Sequence, residues 1–169
     1  MADFISAGML GGNLSAADGP TPLSSQGIVT NWYNNTNYAG GLARYVYAVS
    51  AIAFHDALAI DTGGSAVPVS SVQASAGWWQ FGCADWYLLN SGDYGWVKLT
   101  GPMSPNVLTL CAARVPLFTS GTAGKLDDTG SASSFTLVRG IELIVSNTGS
   151  TNSIAAMANW PAYAPGGTV

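Results

Sequence analysis

Charged residues are scarce in this chain of 169 residues. Asp, Glu, Lys and Arg make up 8% of the sequence, against about 25% in an average soluble domain. The hydrophobic fraction is an ordinary 48%, so small and polar uncharged residues stand where charges would normally be. Because charge keeps the surface of a free monomer soluble, we infer that much of this surface is covered by other protein.

Basic residues are fewer than acidic ones, and they do not cluster along the chain. The formal net charge is −4, and the five basic residues are Arg44, Lys98, Arg114, Lys125 and Arg139. A nucleic-acid-binding protein needs a basic stripe to neutralise phosphates, so we expect no nucleic-acid partner. An anionic membrane surface is disfavoured for the same reason.

Long apolar runs are also absent. The run AIAFHDALAI is interrupted by His55 and Asp56, well short of the roughly 20 apolar residues of a spanning helix. The first residues, MADFISAGML, lack the basic and long apolar segments of a secretory signal. We therefore expect a protein made in the cytoplasm, without a membrane partner.

Cysteine and histidine are too few for most metal sites. Cys83 and Cys111 are far apart in sequence, and in a reducing compartment buried free thiols are favoured over a disulfide. One histidine, two distant cysteines and no Asp-x-Asp-x-Asp-Gly loop do not supply a metal site. Since glycine-rich nucleotide-binding motifs are missing too, we expect no metal and no cofactor.

The candidates for catalysis are weak. A Ser-His-Asp arrangement would have to use His55 with Asp56 or Asp61, but no G-x-S-x-G motif is present, and His55 is interpreted as a hydrogen-bonded loop residue. Asp127 and Asp128 are adjacent, so their side chains are expected to diverge, and KLDDTG is favourable turn chemistry. The sequence therefore predicts a protein that is not an enzyme.

The chain divides into three segments by composition. Residues 1–41 are rich in Gly, Asn and Ser and are predicted to form an irregular N-terminal arm, residues 42–162 a β-domain, and residues 163–169 a C-terminal tail. Within 42–162, short β-prone runs recur about every 8–12 residues between Gly, Ser and Asp clusters, which is typical of an all-β barrel or sandwich. Helix is poorly supported, Gly63-Gly64 indicates a hairpin tip, and Pro116 marks an edge strand or bulge.

The run SGDYGWVKLTGP raises the question of what covers its aromatic residues. Alternation places Tyr94, Trp96 and Lys98 on one face of the strand and Val97 and Leu99 on the other. We expect Val97 and Leu99 in the core and Trp96 closed over the barrel end or a neighbouring strand. Tyr94 is expected to be partly exposed and Lys98 to keep its face hydrated.

Aromatic residues are concentrated between positions 78 and 96, and three interpretations stay open. They can belong to the core, where each tryptophan buries about 150–250 Å², to a subunit interface, where Trp and Tyr are favoured anchors, or to a platform that stacks on sugar rings. Adjacent Trp78 and Trp79 face opposite sides of a strand, so at least one is expected in the core. The candidate interface residues are Trp32, Tyr33, Tyr38, Trp78, Trp86 and Tyr94.

The order GDYGWVKLTGP, TAGKLDDTG, RGIELIVSN and AMANW resembles the capsid decoration, or cement, proteins of tailed bacteriophages, which have a compact β-barrel related to SH3-like folds. The upstream RYVYAVSAIAFHDALAID is similar to the entry of that barrel, so the resemblance covers about residues 42–160. The residues that would define the fold are Gly95, Trp96, Val97, Leu99, Gly124, Leu126, Asp127, Gly140 and Trp160.

The resemblance implies a structural virion protein that binds the outside of the head shell and bridges neighbouring capsid subunits. Its partners would be the major capsid protein and further copies of itself, as a homotrimer or otherwise a dimer. Its place would be the capsid exterior. The alternatives are another virion component, such as a tail, fibre or minor capsid protein, and a module that binds host glycans.

Overall fold

The computed structural model describes residues 4–5, 17–34, 39–70, 80–130, 135–150 and 152–163. Every regular element among them is a β-strand, which confirms the predicted all-β fold class. Among these residues there is no helix that would be long and apolar enough to span a membrane. The strands are β1 (Phe4–Ile5), β2 (Val29–Asn34), β3 (Ala39–Ala48), β4 (Ala57–Ile60), β5 (Ser65–Pro68), β6 (Gln80–Cys83), β7 (Tyr94–Lys98), β8 (Gly101–Met103), β9 (Asn106–Val107), β10 (Leu117–Thr119), β11 (Leu126–Asp127), β12 (Leu137–Leu143), β13 (Asn152–Ser153) and β14 (Ala156–Tyr163).

Five of these strands close into a barrel. β3 pairs in parallel with β5, β5 pairs with β4, β4 with β6, β6 with β7, and β7 returns to β3. The ten residues of β3 allow its first half to pair with β2 and its last residues to pair with β5. Closure removes the unpaired edges that an open sheet of these five strands would expose.

Strands β8 to β14 form a half-barrel sheet beside the barrel, while β1 and β2 extend the sheet from the barrel strand β3. β14 pairs with β6, β8 and β12, and the sheet continues from β12 through β10, β11 and β9 to β13. Pro116, predicted at an edge or bulge, lies just before β10. The long β-prone run after Phe135 forms β12, in which the register shifts between Arg139 and Ile141.

β4 lies between two hydrophobic cores, which explains why its sequence, ALAI, is apolar without alternation. Leu58 and Ile60 pack inside the barrel with residues of β3 and β7. Ala57 and Ala59 face the other way, into the core of the half-barrel sheet. All four side chains are at most 1% exposed. A strand that is buried on both faces loses its polar positions, so the shared wall fixes the two sheets against each other.

The predicted hairpin tip at Gly63-Gly64 joins β4 to β5. The Ser65 N–H donates to the Asp61 carboxylate at 2.8 Å, which stabilises the turn. Gly64 has φ +91°, and an added Cβ would lie 2.6 Å from the backbone nitrogen of Gly27. Only glycine fits this approach, so the turn packs directly against the segment that precedes β2.

The prediction of an irregular arm as far as residue 41 is wrong for residues 29–34 and 39–41, which lie in β2 and β3. Residues 17–28 are irregular apart from an isolated bridge at Gly19, but they pack against the β-domain. β2 pairs with β3 over six residue pairs, and the backbones of Asp18 and Tyr94 are joined by a 2.9 Å hydrogen bond. The Tyr45 hydroxyl also donates to the Asp18 carboxylate at 2.5 Å. The Asn-rich composition hides a period of two, in which Thr30 and Trp32 are buried while Val29 and Asn31 are exposed. The segment from residue 17 to residue 34 therefore belongs to the β-domain.

Two predicted strand regions are shorter than predicted. Of the run AGWWQFGCADWYLL only Gln80–Cys83 is a described strand, and residues 71–79 lie outside the described residues. In NVLTLCAA the strand stops after Val107, and the chain turns at Leu110, whose φ is +65°. Strand geometry excludes such angles. Cys83 and Cys111 are buried free thiols, as predicted.

Candidate functional site

The aromatic face of β7 is covered by other rings and is not open to solvent. Trp96 is 2% exposed, and its ring lies 5.1 Å from that of Tyr45. The Tyr94 ring also stacks on Tyr45, with ring centroids 6.0 Å apart and an interplanar angle of 18°. Val97 and Leu99, on the opposite face, are buried inside the barrel. Both faces of β7 thus belong to cores, and Tyr94 is half-buried.

Trp32, proposed from the sequence as an interface anchor, belongs to this aromatic core. It is 2% exposed, its indole N–H donates to the Thr100 carbonyl at 3.2 Å, and its ring meets the Trp86 ring edge-on at 5.7 Å and 85°. The alternation of β2 directs Trp32 inward, so it cannot serve as an exposed anchor in this fold. Trp86 itself is half-buried.

Lys98 does not hydrate its face of β7, and that prediction is wrong. The residue is 7% exposed. Its Nζ lies 2.7 Å from an Asp85 carboxylate oxygen and donates to the Pro102 carbonyl at 3.2 Å. The same nitrogen lies over the Trp32 and Trp86 rings at 4.3 and 5.3 Å. A cation can be buried here because a carboxylate and two π faces replace its water.

Asp85 connects this buried cation to the lone histidine. Its second oxygen accepts from the Ser104 N–H at 3.1 Å and lies 2.8 Å from Nδ1 of His55. His55 sits in a loop with φ +68°. Its neighbour Asp56 accepts from the Ala53 N–H at 2.8 Å. His55 is a hydrogen-bonded loop residue, as predicted, and its carboxylate partner is Asp85 rather than Asp56 or Asp61.

Asp56 is held in a tight environment beside the turn after β10. Burial raises the pKa of its carboxyl, while the Ala53 N–H, Asn106 and the charge of Lys125 act in the opposite direction. Gly124 has φ +76°, and a Cβ there would lie 2.4 Å from Asp56 Oδ1. Position 124 in the GKLDD turn must therefore be glycine, because the Asp56 carboxylate packs directly against it.

The other residues singled out in the sequence lie in several places. A Cβ on Gly95 would lie 2.7 Å from Leu89 and 2.8 Å from Tyr87, so the barrel side of β7 leaves no room there. Leu126 is fully buried in the half-barrel core. Tyr33 and Trp160 belong to described strands, β2 and β14, although their side chains lie outside the described part. Tyr38 and Trp78 are outside the described residues.

Asp127 and Asp128 do not diverge as predicted, because the structure brings them together with Cys111. Ligand atoms of the three side chains lie within 4.8 Å of one another. Asp128 accepts from the Ala112 N–H at 2.7 Å, and Asp127 accepts from the Asp128 N–H, the Thr129 hydroxyl and the Cys111 thiol. Burial raises the pKa of Cys111 to about 11. These hydrogen bonds tie two turns together, and the thiol stays protonated at neutral pH.

A groove of about 370 Å³ opens beside β12, between residues 114–116 and 137–142. β10 pairs with β12 through Leu117–Val138 and Phe118–Leu137, and further along the Arg114 N–H donates to the Leu143 carbonyl at 3.2 Å. Between these points the described backbones of residues 115–116 and 139–142 share no hydrogen bond. The groove is thus an opening between two neighbouring stretches of chain.

The exposed charges of the described residues are gathered at this groove. Thirteen of the fourteen charged residues are described, and only Arg114, Arg139 and Glu142 are exposed. On a regular strand residues 139 and 142 would face opposite sides. At Gly140, where φ is +76°, the ladder has a bulge: the two steps from Arg139 to Ile141 are matched by four steps in β14, from Ala162 to Ala158. Across this bulge the alternation of β12 is interrupted, and Arg139 and Glu142 are both exposed.

Sequence reasoning missed this groove, because Arg114 and Arg139 are 25 positions apart in a chain whose basic residues do not cluster. Two signals pointed toward it. Pro116 marked an irregular strand, and Gly140 interrupts an otherwise β-prone run. The partnership of Asp85 with Lys98 carried no comparable signal, since it depends on a loop meeting β7.

Comparisons of the chain with protein family models, with curated proteins and with solved structures found no match in any of the three.

Proposed function

We propose that this protein is a structural virion subunit that decorates the outside of a tailed-phage head and stabilises the shell by bridging capsid subunits. The observation that carries the proposal is the composition of the exposed surface. In the described residues three charged side chains are exposed, against nine large apolar side chains that are 42–73% exposed. A free monomer relies on surface charge for solubility, so a surface this poor in charge favours one that is covered by other protein.

The exposed apolar residues are distributed over both sheets. Leu23, Val49, Phe54 and Leu88 belong to segments that pack on the barrel, while Leu110, Ile144, Val145 and Met157 belong to the half-barrel sheet and its loops. A rigid domain with apolar residues on several sides is suited to touching more than one neighbour. After the first contact forms, each further contact is effectively intramolecular, and modest interfaces then add by avidity.

Several charged residues form contacts within the fold. Lys98 and Asp85 neutralise each other between tryptophan rings, and Asp127 accepts hydrogen bonds that close a turn. The order of the Tyr-Gly-Trp-Val strand, the GKLDD turn and the final Asn-Trp resembles cement proteins, and this resemblance supplies the phage head as the partner in the proposal.

Emptied, expanded phage heads that lack this subunit provide the test. The purified protein should co-sediment with the heads at a fixed ratio to the shell subunit and raise the temperature at which they rupture. Absence of binding, with binding to a glycan array instead, would overturn the proposal in favour of a host-surface module.

A truncation separates the N-terminal residues from the β-domain in the same assay. Removing residues 1–16 deletes the two-residue strand β1 and its pairing with β2 but leaves β2 and Trp32 in place, so the domain should stay folded. If these residues extend the contact with the shell, occupancy on the heads falls. Removing residues 1–35 is the contrasting variant, because it deletes β2 and should unfold the domain.

A further inference from the structure

We propose that the groove beside β12 binds an extended acidic peptide segment of a partner protein, with Arg114 and Arg139 as the ligands of a carboxylate. The inference rests on the proposed function only in taking that partner to be a shell protein. Its starting point is charge. The groove holds two exposed arginines and one exposed glutamate, a local formal charge of +1 on a chain of net charge −4.

The chemistry of arginine favours a carboxylate as the bound group. A guanidinium presents a planar set of N–H donors that fits both oxygens of a carboxylate. Neither Arg114 nor Arg139 forms an ion pair with another described residue, so both are available to a partner. Nucleic acid is a poorer match, because it requires a longer basic stripe without an acidic residue inside it.

The shape of the groove favours an extended peptide. It opens where residues 115–116 and β12 fail to pair, so β12 backbone groups line one wall. Val115, Pro116 and Ile141 provide apolar lining. A strand-like segment inserted there would pair with the backbone and place alternate side chains in the groove, as in other cases of strand addition.

Glu142 favours one orientation of a peptide bound in the groove. Gly140 places it outward with Arg139, so a carboxylate near Arg139 is attracted while a second one beyond it meets Glu142. Like charges brought together select against the wrong partner or register. The preferred segment therefore carries an acidic residue at the arginine end and a neutral or basic residue at the Glu142 end.

Capped synthetic peptides test the groove directly. The first has the sequence Thr-Val-Glu-Val-Thr, and the matched peptides replace its Glu by Gln or Lys. Titration into the ¹⁵N-labelled protein should shift the amide signals of residues 114–116 and 137–142, with the Glu peptide bound about fivefold more tightly than the Gln peptide. That difference should shrink in high salt.

Variants of the protein assign the effect to the arginines. R139Q and R114Q should each lower the affinity of the protein for the Glu peptide, toward its affinity for the Gln peptide. K125Q lowers the net charge equally from a position outside the groove lining, and it should leave binding unchanged. Equal affinity for the Glu and Gln peptides, or signal changes confined to other residues, would overturn the inference.

The phage heads distinguish this inference from the proposed function. If wild-type protein binds heads and R114Q/R139Q binds them equally well, the groove is not the contact and the decoration function stands. If the Glu peptide binds the groove while heads are not bound, the groove assignment stands and the phage-head proposal falls. The groove assignment and the phage-head proposal are both supported if R114Q/R139Q binds heads more weakly than K125Q does.

Discussion

In the barrel, Lys98 and Asp85 are buried against each other and two tryptophan rings, whereas in the half-barrel sheet Arg114, Arg139 and Glu142 face solvent. A buried charge without its partner is costly, so the barrel depends on each member of its pair. An exposed charge contributes little to stability. The three exposed charges on the half-barrel side are therefore free to serve a contact, and the buried pair on the barrel side is required by the fold.

Arg44 follows the rule of the barrel side. It is 8% exposed, and its guanidinium donates to Gln80 and to the Thr62 carbonyl, the latter at 2.8 Å. Burial lowers its pKa, while the charge of Asp61 acts in the opposite direction. Together with Lys98, it accounts for the low exposed charge of this half. Oxygen atoms of the protein accept the hydrogen bonds of both cations. On an exposed side chain, water would accept them.

Replacing Asp85 by Asn should give the largest effect. Lys98 would be left buried without its counter-ion, and we expect a loss of about 3–5 kcal/mol in the free energy of unfolding. Urea denaturation at pH 7 measures it. The double variant D85N/K98M removes both charges and should recover much of that loss. Strictly additive effects, or a loss below about 1 kcal/mol for D85N, would contradict the structural role of the pair.

Ionisation of the Cys111 thiol should have an intermediate effect on the free energy of unfolding, and this effect depends on pH. Burial raises its pKa to about 11 in the folded state, above the ordinary thiol value of 9.0. A raised pKa stabilises the fold below the unfolded value, and this contribution is lost as the pH rises through the folded value. Between pH 9 and 11 the wild-type protein should lose about 2 kcal/mol from this thiol.

The control for that measurement is Cys111→Ser, which keeps a small hydrogen-bonding group that does not ionise in this range. The stability difference between the two proteins should change with pH in favour of the serine variant. Tyr45, whose pKa is raised to about 12 by burial and by Asp18, loses its contribution in both proteins alike. Parallel pH profiles would show that the thiol does not carry the alkaline loss.

The sequence predicted what depends on local patterns. Alternation placed Val97 and Leu99 in the barrel, and Gly63-Gly64 marked the hairpin between β4 and β5, because both signals lie within a few residues. Alternation in β2 was present but hidden, since its exposed positions include the apolar Val29 and its buried ones include the polar Thr30. The arm boundary at residue 41 failed for that reason.

The sequence could not predict what depends on distant segments. Lys98 looks like an exposed residue of a strand, and only the fold brings it together with Trp32 from β2 and with Asp85 and Trp86 from the loop after β6. Arg114 and Arg139 form one groove only because the β10–β12 ladder brings their segments together. A pattern along the chain shows which residues share a face, and the tertiary fold decides whether that face meets protein or water.

Replacing Gly140 should have the smallest effect on stability of the changes considered, and it tests the exposed charges of the half-barrel side. At φ +76° an alanine costs about 1 kcal/mol relative to glycine, and relief of this strain would remove the bulge and turn Arg139 away from Glu142. Gly140→Ala should therefore lower the affinity of the protein for the Glu peptide while leaving the protein folded. Gly121→Ala is the matched control, because an added Cβ there meets nothing within 4 Å. Unchanged peptide affinity in Gly140→Ala would show that the groove does not need the bulge, and that its exposed arginines alone set the contact.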